Sequence, residues 1–175
     1  MSVSPVVLRP VATADRPVLE RLWLMFRHDM SEFWGALPDP DGTFHTARLT
    51  TALENPDDWA AYLLTRDNRP VGLALVRGLT GPVRVLNAFF VVRALRRGGV
   101  GLRAVRDLVA RHPGPWEVAF QDDNVTAVRF WRRVAQQLAG DAWTEEHRPV
   151  PGRPEAAPDT WISFASPATD THNDG

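Results

Sequence analysis

The chain has 175 residues, with 20 basic and 21 acidic side chains, a net charge of −1 and no cysteine. That length suits one domain of ordinary size around a single core. The composition excludes structural disulfides and thiolate metal sites, and no run reaches the ~20 apolar residues of a membrane span.

The opening MSVSPVVLRPVATADRP lacks a basic stretch followed by a long apolar run, so no signal peptide is expected and a cytoplasmic location is. Val6-Val7-Leu8-Arg9-Pro10-Val11 is a short β-prone run closed by proline. Thr13 and Asp15 are helix-capping types with Pro17 behind them, and Val18, Leu19, Leu22, Met25 and Phe26 recur at helical spacing. This predicts a helix to about Met30 or Phe33, then a Gly/Pro-rich loop over residues 34–44 and a short helix over 46–53. Strands follow at 59–65 and 71–76, joined by the turn Asp67-Asn68-Arg69. The run Arg84 to Val92 is almost continuously apolar, which predicts a central strand buried on both faces. A helix over 102–110, a strand over 116–120 and a helix over 124–138 come next. Closing strands are expected at 142–147 and 160–164, around a loop with four prolines. The order β-α-α-β-β-β-α-β-α-β-β predicts a mixed α/β sheet with helices on its faces, one domain over residues 1–166 and a disordered polar tail over 167–175.

Charge is unevenly placed. Residues 93–133 hold nine arginines and four acids, a local +5, against −4 over residues 1–60 and −5 over residues 134–175. One segment is thus built to meet an anion. All basic residues are arginine, which together with abundant Ala, Pro and Val fits the codon bias of a GC-rich genome.

Within the basic segment, Ala88-Phe89-Phe90-Val91-Val92-Arg93-Ala94-Leu95-Arg96-Arg97-Gly98-Gly99-Val100-Gly101-Leu102 runs from a strand through a basic turn into a helix. Glycines there let backbone amides approach a ligand, and the helix N-terminus adds partial positive charge, a combination suited to a pyrophosphate. Arg96 and Arg97 add full charge. A Rossmann turn would need a third glycine after the first strand. A Walker A loop would need a lysine, and the chain has none.

The arrangement resembles the GNAT superfamily of N-acetyltransferases. Val91 and Arg96 have the spacing of the family's strand end and its Arg-x-x-Gly-x-Gly turn, which Gly99 and Gly101 complete. Asn124-Val-Thr-Ala127-Val-Arg-Phe130-Trp131 is similar to the family's Asn-x-x-Ala-x-x-Phe-Tyr helix. Asp29-Met-Ser31-Glu32-Phe33 and His112-Pro-Gly114-Pro-Trp116-Glu117-Val118 look like a narrower group of bacterial acetyltransferases without an assigned substrate.

The resemblance implies a GNAT fold, a mostly antiparallel sheet of about seven strands with about four helices, and acetyl-CoA as co-substrate. It implies that backbone groups of Phe90, Val91 and Val92 pair with the pantetheine arm. Amides of Arg97, Gly98, Gly99, Val100 and Gly101 would hold the pyrophosphate, and Asn124 would hydrogen-bond the pantetheine. Arg133 either reaches the phosphates or is a solvated surface arginine. The acetyl group would pass directly to a primary amine of a small molecule or protein, with a strand N–H near Val91 polarising the thioester. No nucleic acid, metal or membrane partner is expected, and a homodimer is common among relatives.

The family's usual proton-handling groups are not in their places. Trp131 stands where many members have Tyr, and Asn87 and Ala88 stand near the usual strand Glu. Asn87 can still hold a relaying water. Asp29 and Glu32 share a helix face where they would attract a cationic amine. His28, His45, Glu145, Glu146 and His147 are further candidates for a base. Loss of the usual Tyr and Glu also fits an acetyl-CoA sensor without catalysis. Trp23, Phe26, Phe33 and Trp34 read as packing, and His112 reads as a capping charge at a helix end.

Overall fold

The computed structural model describes residues 4–166, so the tail expected over 167–175 lies outside the described residues. In chain order the elements are β1 (Val7–Pro10), α1 (Arg16–Trp34), α2 (Ala47–Glu54), β2 (Trp59–Arg66), β3 (Arg69–Arg77), β4 (Arg84–Val91), α3 (Val100–Arg111), β5 (Pro115–Phe120), α4 (Val125–Ala139), β6 (Trp143–Arg148) and β7 (Asp159–Ala165). Single 3-10 turns at Thr13–Asp15 and Arg93–Leu95 precede α1 and follow β4. The expected mixed α/β architecture is therefore the one present, with seven strands in one sheet and four α-helices.

Local chemistry sets the boundaries. Asp67 and Asn68 take positive φ of 49° and 61°, the left-handed pair that closes a two-residue hairpin between β2 and β3. Helix α1 has proline in its first turn and ends on Gly35 at φ 61°, whose amide donates to the Ser31 carbonyl.

Strand order is β1-β2-β3-β4-β5-β7-β6, and only the β4–β5 pair is parallel. Strand β4 is central, as its apolar run predicts, and apolar cores lie on both faces of the sheet. On one face α1 and α2 bury Leu19, Trp23 and Leu49 against Leu63, Leu73 and Leu75. On the other, α3 and α4 bury Leu108 and Val134 against Trp116, Val118 and Ile162. Each such fully buried aliphatic side chain contributes about 1.5–3 kcal/mol.

The reading of His112 as a positive capping charge does not hold. It closes α3, but its Nε2 lies 2.7 Å from the Tyr62 hydroxyl. Burial, then the charges of Arg84 and Arg111, push its pKa down, which disfavours the cation that a capping charge needs.

Candidate active site

The site begins with an irregularity in β4. Leu75 pairs with Ala88 while Val76 pairs with Leu86, so Asn87 is an extra, bulged residue. The parallel ladder to β5 also stops there, at Leu86 opposite Val118. Beyond it no strand among the described residues pairs with 88–91 on the β5 side. The sheet opens at its centre and leaves an unpaired backbone edge.

The phase of that edge follows from two contacts. The Val92 amide donates to the Val71 carbonyl at 2.9 Å. A Cβ on Gly72 would lie 2.2 Å from the Phe90 carbonyl oxygen, so that oxygen is also turned to β3. Backbone direction alternates along a strand. Phe90 and Val92 therefore face β3, and Phe89 and Val91 face the open edge. This corrects the expectation of a run Phe90-Val91-Val92: only Val91 of the three is available, with Phe89 joining it.

After β4 the 3-10 turn leads to Gly99, the N-cap of α3, at φ 71° and ψ 7°. Glycine takes that left-handed conformation without strain. The first-turn amides of Val100, Gly101 and Leu102 then have no intrahelical acceptor and carry the positive end of the helix dipole. Gly101 has a second reason to be glycine, since a Cβ there would meet the Phe130 ring at 3.2 Å. Phe130 stacks on Phe89 with centroids 6.0 Å apart and planes 7° apart.

The two arginines of the motif part ways. Arg96 turns back from the glycines. Its Nε donates to the Val91 carbonyl at 2.7 Å, its Nη2 meets Asp29, and its guanidinium lies 5.5 Å from the Phe90 ring centre. It braces the end of β4 and is not free for a phosphate. Arg97 is exposed and forms no ion pair among the described residues.

Asp29 accepts from both Arg93 (2.8 Å) and Arg96. Burial pushes its pKa up, but the hydrogen bonds from Arg96 and Arg93 outweigh that and hold the carboxyl below its ordinary value. A carboxylate so paired is a weak base and has no surplus charge with which to draw in a cation. Its expected roles as base and amine attractor therefore fail on geometry. Glu32 lines the same cleft and forms no ion pair among the described residues. Asn87 offers a buried Oδ1 with no hydrogen-bond partner.

Asp29, Glu32, Arg93, Arg96 and Gly101 line a cleft of about 380 Å³. Phe26, Met30 and Phe33 of α1 form one wall and Asn124, Ala127 and Phe130 of α4 the other, with Phe89 to Val91 between them. Asn124 is the N-cap of α4, where its Oδ1 accepts from the Ala127 amide at 3.0 Å. Only its Nδ2 remains to donate into the cleft. Trp131 is buried, edge-on to Phe89 at 5.8 Å and to Phe130 at 4.8 Å. It completes an aromatic wall, and its indole N–H is a hydrogen-bond donor but too weak an acid to protonate a leaving thiolate. Arg133 is exposed and does not line the cleft.

The other candidate bases are engaged or distant. Glu145 pairs with Arg132, Glu146 with Arg148, and His147 with Asp122. His28 lines a neighbouring cavity of about 460 Å³ beside Met25 and Phe44. Sequence reasoning missed Phe89 and Arg93. The family spacing pointed one residue further along the strand than Phe89, and Arg93 is one arginine among nine in its segment.

A central strand that opens against a helix N-terminus, with α1 and α4 as walls, is the plan of an N-acetyltransferase. The model of the Acetyltransferase (GNAT) family matches residues 19–135, and the chain belongs to that family. Among solved structures, an acetyltransferase from Thermus thermophilus is 20% identical with a TM-score of 0.67, covering 94% of this chain and 99% of that one. An aminoglycoside acetyltransferase in complex with coenzyme A is 19% identical (TM-score 0.64, coverage 91% and 94%). The ribosomal-protein-S18-alanine N-acetyltransferase of Escherichia coli is 12% identical (TM-score 0.62, coverage 95% and 97%). Among curated proteins none matches the sequence significantly.

Proposed function

We propose that the protein transfers the acetyl group of acetyl-CoA to a primary amine by direct attack. The observation that carries this is the unpaired edge of β4 at Phe89 and Val91, opening into one cleft with the N-terminus of α3. The residues present fit the co-substrate. The Phe89 backbone offers strand-like bonds to an extended amide-bearing arm, and Asn124 Nδ2 offers another. Free amides from Arg97 to Gly101, with the Arg97 charge, suit a pyrophosphate. Acetyl-CoA supplies an activated thioester. In this reading the Val91 N–H donates to the oxygen on which negative charge develops. The amine must be neutral to attack. Asn87 Oδ1 accepts from the amine or from a relaying water, and Glu32 is the cleft carboxylate left free to receive the proton.

A second reading, an acetyl-CoA sensor without turnover, is favoured by the burial of Trp131 and by the pairing of Asp29. Both readings require the cofactor, so calorimetric titration with acetyl-CoA, CoA and NADH comes first. Micromolar binding of the CoA species and none of NADH is expected. Gly99→Asp should abolish it by setting a carboxylate against the pyrophosphate, while Gly99→Asn carries the same left-handed strain without the charge and should retain most of it. Unchanged affinity in folded Gly99→Asp would refute the cofactor assignment. Thiol release with an amine panel then separates enzyme from sensor.

A further inference from the structure

The opening of the sheet leaves the end of β5 supported on one side only. Its ladder to β4 stops at Val118, while Ala119 and Phe120 still pair with Trp161 and Thr160 of β7. The turn Gln121-Asp122-Asp123-Asn124 follows this half-supported end and leads into α4. The Asn124 amide closes it on the Gln121 carbonyl at 3.0 Å, and Asp122 and Asp123 are exposed. An exposed turn of this kind opens locally at little cost unless other groups hold it. It carries Asn124, a lining residue of the cleft whose Nδ2 is the donor offered to the pantetheine arm.

Side-chain bonds hold the turn, and all of them run to the β6–β7 hairpin. Gln121 Nε2 donates to Asp159 Oδ1 at 2.9 Å. The Thr160 hydroxyl donates to Asp122 Oδ1, and His147 Nε2 lies 2.8 Å from Asp122 Oδ2. Asp159 and Thr160 open β7, and His147 pairs with Thr160 across to β6, so the tethers share one anchor. Thr160 is the most informative of them. It continues the inward row of Ile162 and Phe164, and among the described residues it is the one buried polar side chain. A valine there would have nearly the same shape and no polar group to satisfy, so the hydroxyl costs free energy unless it is bonded. Its bond to Asp122, and then that of His147, hold the Asp122 carboxyl below its ordinary value. The His147 and Asp122 side chains are each more than half exposed, so solvent screens their pairing and the hydroxyl is the firmer tether.

We propose that Asp122 is a positioning residue for the co-substrate: Thr160 and His147 fix its carboxylate, and the carboxylate fixes the turn so that Asn124 Nδ2 points into the cleft. This rests on the transferase reading and adds to it residues that act through Asn124. Charge alone predicts the opposite behaviour. Asp122 is an acid two residues from Asn124, and the co-substrate is an anion, so removing the acid would tighten binding if only its field mattered. A tether gives the reverse sign.

Calorimetric affinity for acetyl-CoA reads the effect in each variant, with Tm measured beside it. Asp122→Ala and Thr160→Val should each weaken binding roughly three- to tenfold, the range of one hydrogen bond. Thr160→Val removes a buried polar group, so its Tm should equal or exceed the parent's while its affinity falls, a combination that a merely structural role does not produce. Asp122→Asn keeps an acceptor for Thr160 and can donate to the other tautomer of His147, and it should stay within about twofold of the parent. Asn124→Ser keeps a capping oxygen but lacks the Nδ2 donor. In that background Asp122→Ala should cost no further affinity, because both changes remove the same bond. Unchanged or tighter binding in folded Asp122→Ala and Thr160→Val would overturn the positioning role. So would an equal loss in Asp122→Asn and Asp122→Ala, or full additivity of Asp122→Ala with Asn124→Ser. Failure of the parent protein to bind acetyl-CoA at all would instead sink the transferase reading.

Discussion

Replacing Asp29 by Asn tests whether that carboxylate is a bracket or a catalytic base. Three donors converge on it: Arg93 Nε and Nη2 on Oδ1 at 3.1 and 2.8 Å, and Arg96 Nη2 on Oδ2. The Arg93 side chain is 71% exposed, so solvent screens it and its share is about 0.2–1 kcal/mol. Arg96 is 37% exposed and Asp29 only 18%, which places that bond nearer 1–2 kcal/mol. Asparagine keeps one acceptor but turns an NH2 toward a guanidinium. The expected loss is therefore about 1–3 kcal/mol, or roughly 2–10 °C in Tm for a chain of this size. The folded-state pKa of Asp29 lies below its ordinary value. Its contribution is then full above the unfolded carboxyl value of about 3.9 and is lost as pH falls through the lower folded value. The gap in Tm between parent and Asp29→Asn should be full at neutral pH and narrow as pH falls below the ordinary carboxyl value. In assays, a bracket mutation raises KM for acetyl-CoA, because Arg96 loses one of the two partners that fix it at the end of β4. A gap that does not change between pH 7 and 3 would refute the pairing. A fall in kcat with loss of the acidic limb of the pH–rate profile, at unchanged KM, would make Asp29 the base.

Two further perturbations separate structural from ligand roles. Asn124→Ala removes a helix cap and should cost about 1 kcal/mol, while Asn124→Asp keeps the capping oxygen but replaces the Nδ2 donor; urea unfolding should leave the Asp variant near the parent, and calorimetry should show that it has lost acetyl-CoA affinity. His112 has a folded pKa below its ordinary 6.5, so the unfolded chain binds its proton first, and stability that is full above that value falls as pH drops through it toward the folded pKa. His112→Gln keeps a partner for Tyr62 without titrating, and its Tm profile between pH 7.5 and 5 should be flatter than the parent's.

Much of the fold was legible because each signal was local. The hairpin turn is written in Asp67-Asn68, the end of α1 in Gly35, and the central position of β4 in its nearly continuous apolar run. The glycine turn was equally readable, since only backbone geometry is at stake there. What could not be read was partnership across the chain. Arg96 and Asp29 are 67 residues apart, and nothing near either one shows that α1 docks over the motif and takes its first arginine.

The phase of the β4 edge shows the limit most sharply. Side chains and backbone groups alternate along a strand, so a single inserted residue exchanges the roles of all that follow. Asn87 is that residue: Leu86 packs with the α3–α4 core and Ala88 with the α1–α2 core, one position apart from where an unbroken strand would put them. Any estimate of which amides face the opening is wrong by one unless the bulge is located, and an asparagine in an apolar run does not announce it. The same bulge ends the β4–β5 ladder and leaves the Asn87 side-chain oxygen buried without a partner. Opening of the sheet, exposure of the Val91 amide and the unfilled acceptor beside them thus have one cause. Removing the irregularity would not merely misplace a catalytic group; it would let β4 and β5 pair onward and close the cleft.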